Sequence, residues 1–358
     1  MKHIIRIAIL VTAVLLIFYI ADNRAKDNEP LEAPVKHGTA IPVEDKGIGS
    51  AIPQTSRPDE GVSIYVGKPV EFLIEALGEP DRIEPSYYAY DWWIYQNDHR
   101  LMVSVTSEGT VNQLYTAAEE SNIAPFEMAQ SIDDIYRFTI VGSEVDVKLD
   151  ENIYTFSLNS EDMQTRPLII FQDLYAQLYI DQEEGILKGV RFIDPETLIL
   201  HQPYEMTYMG ELLVSKPPSS LQQLEVNLTA ERQIFELTNL IREGYRLPQL
   251  RNNYALGQFA RKHSEYLALE NISTEEPEKT ESLTNRLKMA EIEHKKAGEN
   301  TAFDYADAIE AVHGWLNSPD HRKVLLGKDF THLGTGAYGN YFTETFIKST
   351  IDDQLEWQ

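Results

Sequence analysis

The sequence predicts an α+β protein with an N-terminal membrane anchor and two folded domains. Three observations lead to this prediction. An apolar run lies at the extreme N-terminus, alternating aromatic and β-branched residues dominate the middle of the chain, and apolar residues recur at helical spacing towards the C-terminus. With 358 residues, of which 42% are hydrophobic, the chain is long enough to bury two ordinary cores.

The predicted membrane anchor covers residues 1–26. Lys2, His3 and Arg6 precede an apolar run from residue 7 to residue 21, and positive charge before such a run keeps the N-terminus in the cytoplasm. No clean small-x-small cleavage site follows the run, so we favour an uncleaved signal anchor over a cleaved signal peptide. We therefore expect a single-pass membrane protein with its folded domains outside the cytoplasm, or a secreted protein if the signal is cleaved.

The segment at 27–60 is predicted to be a disordered linker. Five prolines lie among charged residues and glycines, and no apolar periodicity could drive packing. A first folded domain is expected at 61–215. The adjacent prolines Pro217 and Pro218 predict a hinge at 216–228. The second domain then covers 229–358.

The first domain is predicted to contain an internal duplication of a helix followed by an antiparallel sheet. The first copy begins with a helix at 70–77, between Gly67-Lys68-Pro69 and Gly78-Glu79-Pro80, and the second copy begins at 129–136. Each copy is expected to pack its helix on its own small sheet. Alternating residues and turn signals predict strands at 88–95, 101–106 and 111–115, and again at 154–158, 168–172, 176–181 and 187–193.

Two adjacent tryptophans, Trp92 and Trp93, lie in one predicted strand and therefore point to opposite faces of its sheet. One of them is expected in the core. The other is a candidate exposed anchor for a protein partner, because aromatic residues are enriched at binding hot spots.

The second domain is predicted to be rich in helices. Apolar residues at helical spacing predict helices at 229–243, 254–270 and 304–316. Ser318 followed by Pro319 predicts the N-cap and the first position of a further short helix. His263 shares a helix face with apolar residues, so we interpret it as a hydrogen-bonded core histidine rather than a cavity ligand.

A candidate site flanks the predicted helix at 304–316. Glu299 and Asn300 precede this helix, and His321 follows it in the first turn of the next one. The simplest fold brings the carboxylate and the imidazole together, and the positive end of the helix dipole disfavours the imidazolium form of His321. Two interpretations stay open: a functional cavity pair, or a buried hydrogen bond that ties two loops together.

Five ordered blocks of the second domain carry a resemblance to a known family. They lie at 233–242, 260–264, 297–300, 314–322 and 330–336. Together they resemble a bacterial CAP domain, of the superfamily of cysteine-rich secretory proteins, antigen 5 and pathogenesis-related class 1 proteins, also called SCP-like. The resemblance implies an α-β-α sandwich with a cavity whose His and Glu residues bind zinc in some members. It assigns Glu299, Asn300 and His321 to that cavity.

The first domain carries a second resemblance. Its Gly-Lys-Pro start, its Gly78-Glu79-Pro80 stop and its aromatic strand at 90–95 precede the CAP-like region. In this order they resemble the CAP-associated N-terminal domain of Gram-positive bacterial proteins. The resemblance implies no activity for that domain.

The second domain departs from the CAP pattern at two cavity positions. Thr274 stands where bacterial members usually carry another cavity His, and Asn317 falls near the other Glu of eukaryotic members. Because zinc needs three or four ligands, Glu299 and His321 alone make metal binding a minority hypothesis. His294, five residues before Glu299, is an alternative ligand, although we prefer to interpret it as an exposed loop histidine.

Composition and the absence of certain motifs exclude several classes of function. The formal net charge of −26 argues against nucleic acid as a partner, and a chain without cysteines must fold without disulfides. No serine nucleophile elbow, His-Glu-x-x-His motif, phosphate loop or cysteine nucleophile is present. We therefore expect a non-enzymatic surface module that binds a protein or cell-envelope ligand. A metal-assisted hydrolase that uses Glu299 and His321, and a lipid-binding CAP domain, are the alternatives.

Overall fold

The computed structural model describes residues 25–34, 38–40, 55–96, 100–270 and 281–350. The predicted anchor at 1–26 lies outside these ranges except for its last two residues. Within the described ranges, no helix combines the length and the apolar character that crossing a bilayer would require.

Strands dominate the first half of the described chain, and longer helices appear in the second half. The strands are β1 (Lys26–Asp27), β2 (Leu31–Glu32), β3 (Thr39–Ala40), β4 (Arg82–Pro85), β5 (Tyr90–Tyr95), β6 (Leu101–Thr106), β7 (Val111–Thr116), β8 (Glu144–Leu149), β9 (Asn152–Ser157), β10 (Leu168–Phe171), β11 (Leu174–Asp181), β12 (Ile186–Ile193), β13 (Glu205–Met209), β14 (Arg251–Asn252), β15 (Lys296–Phe303), β16 (His332–Tyr338) and β17 (Tyr341–Lys348). The helices are α1 (Val70–Leu77), α2 (Ile132–Phe138), α3 (Ser160–Thr165), α4 (Pro195–His201), α5 (Ser220–Gly244), α6 (Tyr254–Leu269), α7 (Leu283–Met289), α8 (Ala308–Asn317) and α9 (Pro319–Leu325).

The two halves of the first domain share one large sheet. Its order is β10-β11-β12-β7-β6-β5-β4, and the halves meet at the antiparallel pair of β12 and β7, where Val190 lies opposite Thr116. A smaller sheet, β3-β13-β9-β8, shares an apolar cluster with β10 and β11. The prediction of a separate sheet for each copy is therefore wrong, because alternation identifies a strand but not the strand that it pairs with.

Both tryptophans of strand β5 are covered. Trp92 is 2% exposed and belongs to an apolar cluster that extends into the second domain, while Trp93 is half-buried against the core of the first domain. The prediction of one core tryptophan is confirmed for Trp92. The prediction that the other is exposed is wrong, because Trp93, on the opposite face of the sheet, packs against the core of the first domain.

Parts of the segment predicted to be disordered belong to the sheets. Strands β1 and β2 pair in parallel with β15 of the second domain, and β3 pairs with β13 of the first. The prediction of disorder over 27–60 is wrong for these paired residues. A short extended strand needs only backbone partners at a sheet edge, so it leaves no apolar periodicity in the sequence.

The second domain is a three-layer sandwich. Its sheet has the order β1-β15-β17-β16-β14, and β2 also pairs with β15. Helices α6 and α7 cover one face, where Leu256 and Leu283 pack with Ala297 and Ile347. Helices α5, α8 and α9 cover the other face, whose core includes Trp315. This is the α-β-α arrangement that the sequence predicts for the domain.

Helix α5 begins at Ser220, not at residue 229, and so occupies most of the predicted hinge at 216–228. Ser219 and Gln222 form a capping box in which each side chain bonds the backbone N–H of the other residue. This signal starts the helix immediately after the proline pair, so the hinge prediction is wrong beyond Ser219.

Ion pairs and apolar contacts join the two domains. Asp307, the N-cap of α8, accepts two hydrogen bonds from Arg191 of β12 at 2.7 and 2.8 Å. Arg322 of α9 donates two to Asp181 of β11 at 2.9 and 3.0 Å. The first domain is thereby held against the pair of helices α8 and α9, the second of which carries His321.

Candidate functional site

Glu299 and Asn300 are neighbours on β15 and therefore point to opposite faces of the sheet. The pairing of β15 with β17 places Glu299 opposite Thr345 and Asn300 opposite Glu344. The side chains follow this register: Thr345 donates a hydrogen bond to Glu299, and Asn300 donates one to Glu344. Glu299 thus lies on the face covered by α6 and α7, and Asn300 on the face covered by α5, α8 and α9.

The Glu299 carboxylate is buried, with 1% exposure, and is fully engaged. Arg286 of α7 donates to both of its oxygens, and Thr345 Oγ1 donates to Oε2 at 2.9 Å. His263 Nε2 of α6 lies 3.4 Å from Oε1. Burial alone would raise the pKa of Glu299, but His263, Arg286 and Thr345 outweigh it and hold the pKa below its usual value. The carboxylate is therefore ionised and neutralised within the protein.

The sequence-based prediction did not assign His263, Arg286 or Thr345, the neighbours of Glu299, to the site. His263 is buried, as predicted, but its ring faces Glu299 rather than only apolar side chains. Burial lowers the pKa of His263 to about 4, against the opposing effect of Glu299. The block at 260–264 was the only signal for His263, and no local pattern indicates Arg286, because its role depends on how α7 lies over the sheet.

His321 lies in the first turn of α9 on the other side of the sheet. Its Nε2 is 3.0 Å from the carbonyl oxygen of Glu29, and its Nδ1 is 2.8 Å from Ser318 Oγ. Because a carbonyl only accepts, Nε2 carries the proton and Nδ1 accepts from the Ser318 hydroxyl. Burial lowers the pKa of His321 to about 4, although the bond to Glu29 opposes the shift. The ring is therefore neutral at pH 7.

Ser318 occupies the N-cap position of α9, and Pro319 the first helical position, as the sequence predicts. The Ser318 side chain makes no capping hydrogen bond to the backbone of this helix. Its hydroxyl instead bonds His321, so the residue orients the imidazole rather than satisfying a helix N–H.

Asn300 is fully buried and links several parts of the site. Its Nδ2 donates to the backbone carbonyl of His321 at 3.1 Å and to Glu344 Oε2 at 3.4 Å. Its Oδ1 accepts from Asn28 Nδ2 at 3.0 Å. Glu344 also accepts from Thr238 of α5, and burial raises the pKa of Glu344 to about 8. Asn300 therefore connects His321, through its backbone, to the centre of the sheet.

Glu299 and His321 have separate partners. Within the described residues, Glu299 is bonded by Arg286 and Thr345, whereas His321 is bonded by Ser318 and Glu29. The expectation that the carboxylate and the imidazole form one hydrogen-bonded pair is therefore wrong. The sequence places them at the two ends of one helix, but the strand alternation at β15 turns Glu299 to the opposite face.

Comparison with known proteins assigns the chain to a family. The family model described as CAP-associated N-terminal matches residues 66–204, and the model described as cysteine-rich secretory protein family matches residues 235–347. The uncharacterized membrane protein YlbC of Bacillus subtilis (strain 168) is 35% identical over 357 residues, which cover 97% of this chain and 99% of that protein. The chain belongs to the bacterial CAP, or SCP-like, family. The predicted resemblance to a CAP domain with a CAP-associated N-terminal domain is thus confirmed.

Two solved structures share the architecture of this CAP protein. An extracellular protein with an SCP domain from Bacillus anthracis str. Ames is 32% identical, has a TM-score of 0.76, and covers 84% of this chain and all of its own. A cysteine-rich secretory protein from Staphylococcus aureus subsp. aureus Mu50 is 25% identical, has a TM-score of 0.74, and covers 90% of this chain and all of its own. The likeness extends over both domains.

The CAP cavity residues do not fit a zinc ion in this arrangement. The Arg286 guanidinium already lies against both Glu299 oxygens, where a cation would bind, and Nε2 of His321 carries a proton. His294 is half-buried, and its Nδ1 donates to the carbonyl of Ile292. In the part of the chain that the structure describes, no three His, Asp or Glu side chains converge as a metal site would require. Thr274 lies outside that part.

The CAP sheet carries residues 25–34 along its β15 edge; we call these residues the N-terminal segment. Lys26 and Asp27 pair with Gly298 and Glu299. Further along, the N–H of Ala33 donates to the carbonyl of Phe303 at 3.0 Å. The segment was not predicted to take part in the site, because two-residue strands leave no periodic pattern in a sequence.

Proposed function

We propose that this CAP protein is an extracytoplasmic, membrane-anchored module that binds an extended segment of a protein ligand at the β15 edge of its CAP sheet, without catalysis. The anchor and the topology are supported by the charged and apolar N-terminal run. They are also supported by the similarity to YlbC, which is described as a membrane protein. If the signal is cleaved, the same module would be secreted.

One observation carries the binding proposal: an extended chain already lies in parallel along β15. An edge strand presents unpaired N–H and C=O groups, and adding a strand to such an edge is a common mode of peptide recognition. The backbone pairs Lys26 and Asp27 with Gly298 and Glu299, and Leu31 and Glu32 with Ala302 and Phe303, so the edge accepts main chain at two separate places. The edge of the CAP sheet is thus suited to bind an extended protein segment.

The state of the cavity groups favours binding over catalysis. A general base needs a free lone pair beside the substrate. The Glu299 carboxylate is neutralised by Arg286, and the His321 ring is bonded at both nitrogens. These groups therefore act as fixed hydrogen-bonding and charged features of a binding surface.

A peptide with the sequence of residues 25–34 tests this proposal. The receptor is the full-length chain with Asp27→Ala and Asn28→Ala, which weaken the contacts of the N-terminal segment. We expect saturable binding of the labelled peptide by fluorescence anisotropy. Absence of binding to a folded receptor would contradict strand addition at β15.

Calorimetric titration of zinc into the full-length chain tests the alternative of a metal-assisted hydrolase. That alternative requires one tight site that His321→Ala abolishes. We expect no such site, because the positive charge of Arg286 already neutralises Glu299. A tight site lost in the variant would instead make hydrolase assays the next step.

A further inference from the structure

We propose that the β15 edge selects a ligand with an Asp-Asn pair, and that Asp27 and Asn28 of this chain occupy the same subsites and keep them closed. This inference rests on the proposed function and adds its specificity and regulation. Asp27, Asn28 and Glu29, three consecutive residues of the N-terminal segment, each contact a different feature of the CAP domain.

The first subsite receives a carboxylate. Asp27 Oδ2 accepts a hydrogen bond from the backbone N–H of Leu283 at 2.8 Å, and Asp27 Oδ1 lies 3.8 Å from Arg286 Nη2. Leu283 donates a hydrogen bond and Arg286 is positively charged, so an acceptor fits this subsite. Burial and the nearby Glu299 carboxylate act against a negative charge here and raise the pKa of Asp27. Arg286 is shared with Glu299, which means that this subsite is built on the buried ion pair of the cavity.

The second subsite receives an amide. Asn28 Nδ2 donates to Asn300 Oδ1 at 3.0 Å and to the backbone carbonyl of Asp320 at 3.2 Å. Both neighbours are acceptors, so a carboxylate at this position would be repelled and would leave Asn300 Oδ1 without its donor. Asn300 is fully buried and held by its own bonds to His321 and Glu344, so it cannot turn its amide without breaking them.

The third position is read only through its backbone. The carbonyl of Glu29 accepts from His321 Nε2 at 3.0 Å, while the Glu29 side chain is exposed. Two residues later, Leu31 packs against the core that contains Trp315. The sequence preference is therefore Asp, Asn and any residue, with an apolar residue four positions after the Asp.

The subsites oppose the reversed order of the same two residues. Exchanging Asp and Asn would place an amide beside Arg286 and a carboxylate between two acceptors. The composition and total charge of the peptide would be unchanged. A peptide with Asn-Asp in place of Asp-Asn is therefore a matched control for nonspecific attraction.

The test uses the full-length chain with Asp27→Ala and Asn28→Ala, whose fold is checked by circular dichroism. Labelled peptides carry residues 25–34 either as they stand or with the Asp-Asn pair reversed. We expect the native order to bind about tenfold more tightly than the reversed order, and the unsubstituted chain to bind it about tenfold more weakly than the variant.

A disulfide between β2 and β15 tests whether the N-terminal segment must leave the β15 edge before the peptide can bind. Because the chain has no cysteine, Leu31→Cys and Ala302→Cys, a backbone-paired position on β2 and β15, can be added to the same variant and oxidised. We expect the oxidised form to exclude the peptide and the reduced form to bind it. Binding that is unchanged by oxidation would overturn the idea that the segment closes the site.

The remaining outcomes separate this inference from the proposed function. Equal binding of both peptides would overturn the Asp-Asn selectivity and leave strand addition intact. No binding of either peptide to a folded variant would overturn both. Loss of folded structure in the Asp27→Ala, Asn28→Ala chain would also overturn the inference, because a segment that the fold requires is not an exchangeable occupant.

Discussion

Two of the buried arginine–carboxylate pairs of the CAP protein lie in different settings. Arg191 and Asp307 meet at the interface between the domains, and Arg286 and Glu299 meet between β15 and α7. We call the second pair the cavity pair, because the family resemblance assigns Glu299 to a cavity. Both carboxylates have a pKa below its usual value even though burial alone would raise it. The lowering groups are Arg191 and His201 around Asp307, and His263, Arg286 and Thr345 around Glu299. The pairs are alike in chemistry, so their difference lies in what surrounds them.

The interface pair is enclosed by long regular elements. The Arg191 side chain is 0% exposed on the central strand β12, and Asp307 also caps α8 through the N–H of Glu310. The cavity pair is covered by short pieces: Arg286 is on the seven-residue helix α7, and Asp27 lies over it from a two-residue strand. This comparison indicates that the interface pair holds the domains together, whereas the cover of the cavity pair can open locally.

The largest expected effect is at the interface. Asp307→Ala should lower the free energy of unfolding by about 3 to 5 kcal/mol, because the buried Arg191 loses both of its hydrogen bonds to a carboxylate. Glu310, 3.8 Å away, is then the nearest remaining carboxylate. Urea denaturation of the full chain measures the change. As a control, Asp320→Ala removes an exposed ion pair with Lys323 and should leave stability unchanged within error. Equal losses of stability in the two variants would contradict the expectation that the interface pair holds the domains together.

The interface should also be sensitive to acid. Burial, followed by the charge of Arg191, lowers the pKa of His201 and His313 to about 3. Since the unfolded chain protonates these rings near pH 6.5 and the folded chain does not, stability falls as the pH drops from 6.5 towards 3. The loss is about 1.4 kcal/mol per pH unit and histidine. His313→Gln should therefore show a flatter decline in Tm over this range, and parallel profiles would contradict the assignment.

Alanine substitutions of Glu299 and His321 test whether the two side chains contribute to stability separately. Each alanine substitution should lower the free energy of unfolding by about 1 to 3 kcal/mol, because each leaves a buried hydrogen-bonding partner unpaired. The double variant should lose the sum within about 0.5 kcal/mol, because the two side chains share no partner. Thermal melts of the four proteins complete the cycle. A coupling energy well above that limit would contradict separate action and would support the single Glu299–His321 pair that the sequence suggests.

The smallest effect is expected at the N-terminal segment. Asn28→Ala removes two hydrogen bonds from a half-buried side chain, and should speed amide exchange of Ala33 about tenfold while leaving the global Tm unchanged. The amide of Leu158, bonded to Ser143 in the first domain, is the internal control. Equal acceleration of both amides would mean that the segment opens only when the whole chain unfolds.

Local pattern predicted many elements of the fold closely. The helix at 70–77 and the strand at 101–106 have the predicted bounds, since apolar periodicity and flanking Gly-Pro signals act within a few residues. The same reasoning could not predict that β12 pairs with β7, because any alternating strand can pair with another. It also missed the pairing of β1 and β2 with β15, which depends on an edge formed more than 250 residues away.

The candidate site was likewise predicted only in part from the sequence. Motif spacing identified Glu299, Asn300 and His321 and the CAP family, and these choices need only the order of residues along the chain. Which side of the sheet each residue faces, and the choice of Arg286 as the partner of Glu299, depend on how distant helices pack over β15. Burial, which sets the pKa of His321 and of Glu344, is likewise a property of the assembled layers. The sequence by itself determined the family and many of the helices and strands, because their signals are local. The tertiary structure decided the short edge strands and the partners of each residue, because pairing and desolvation join residues that are remote in the chain.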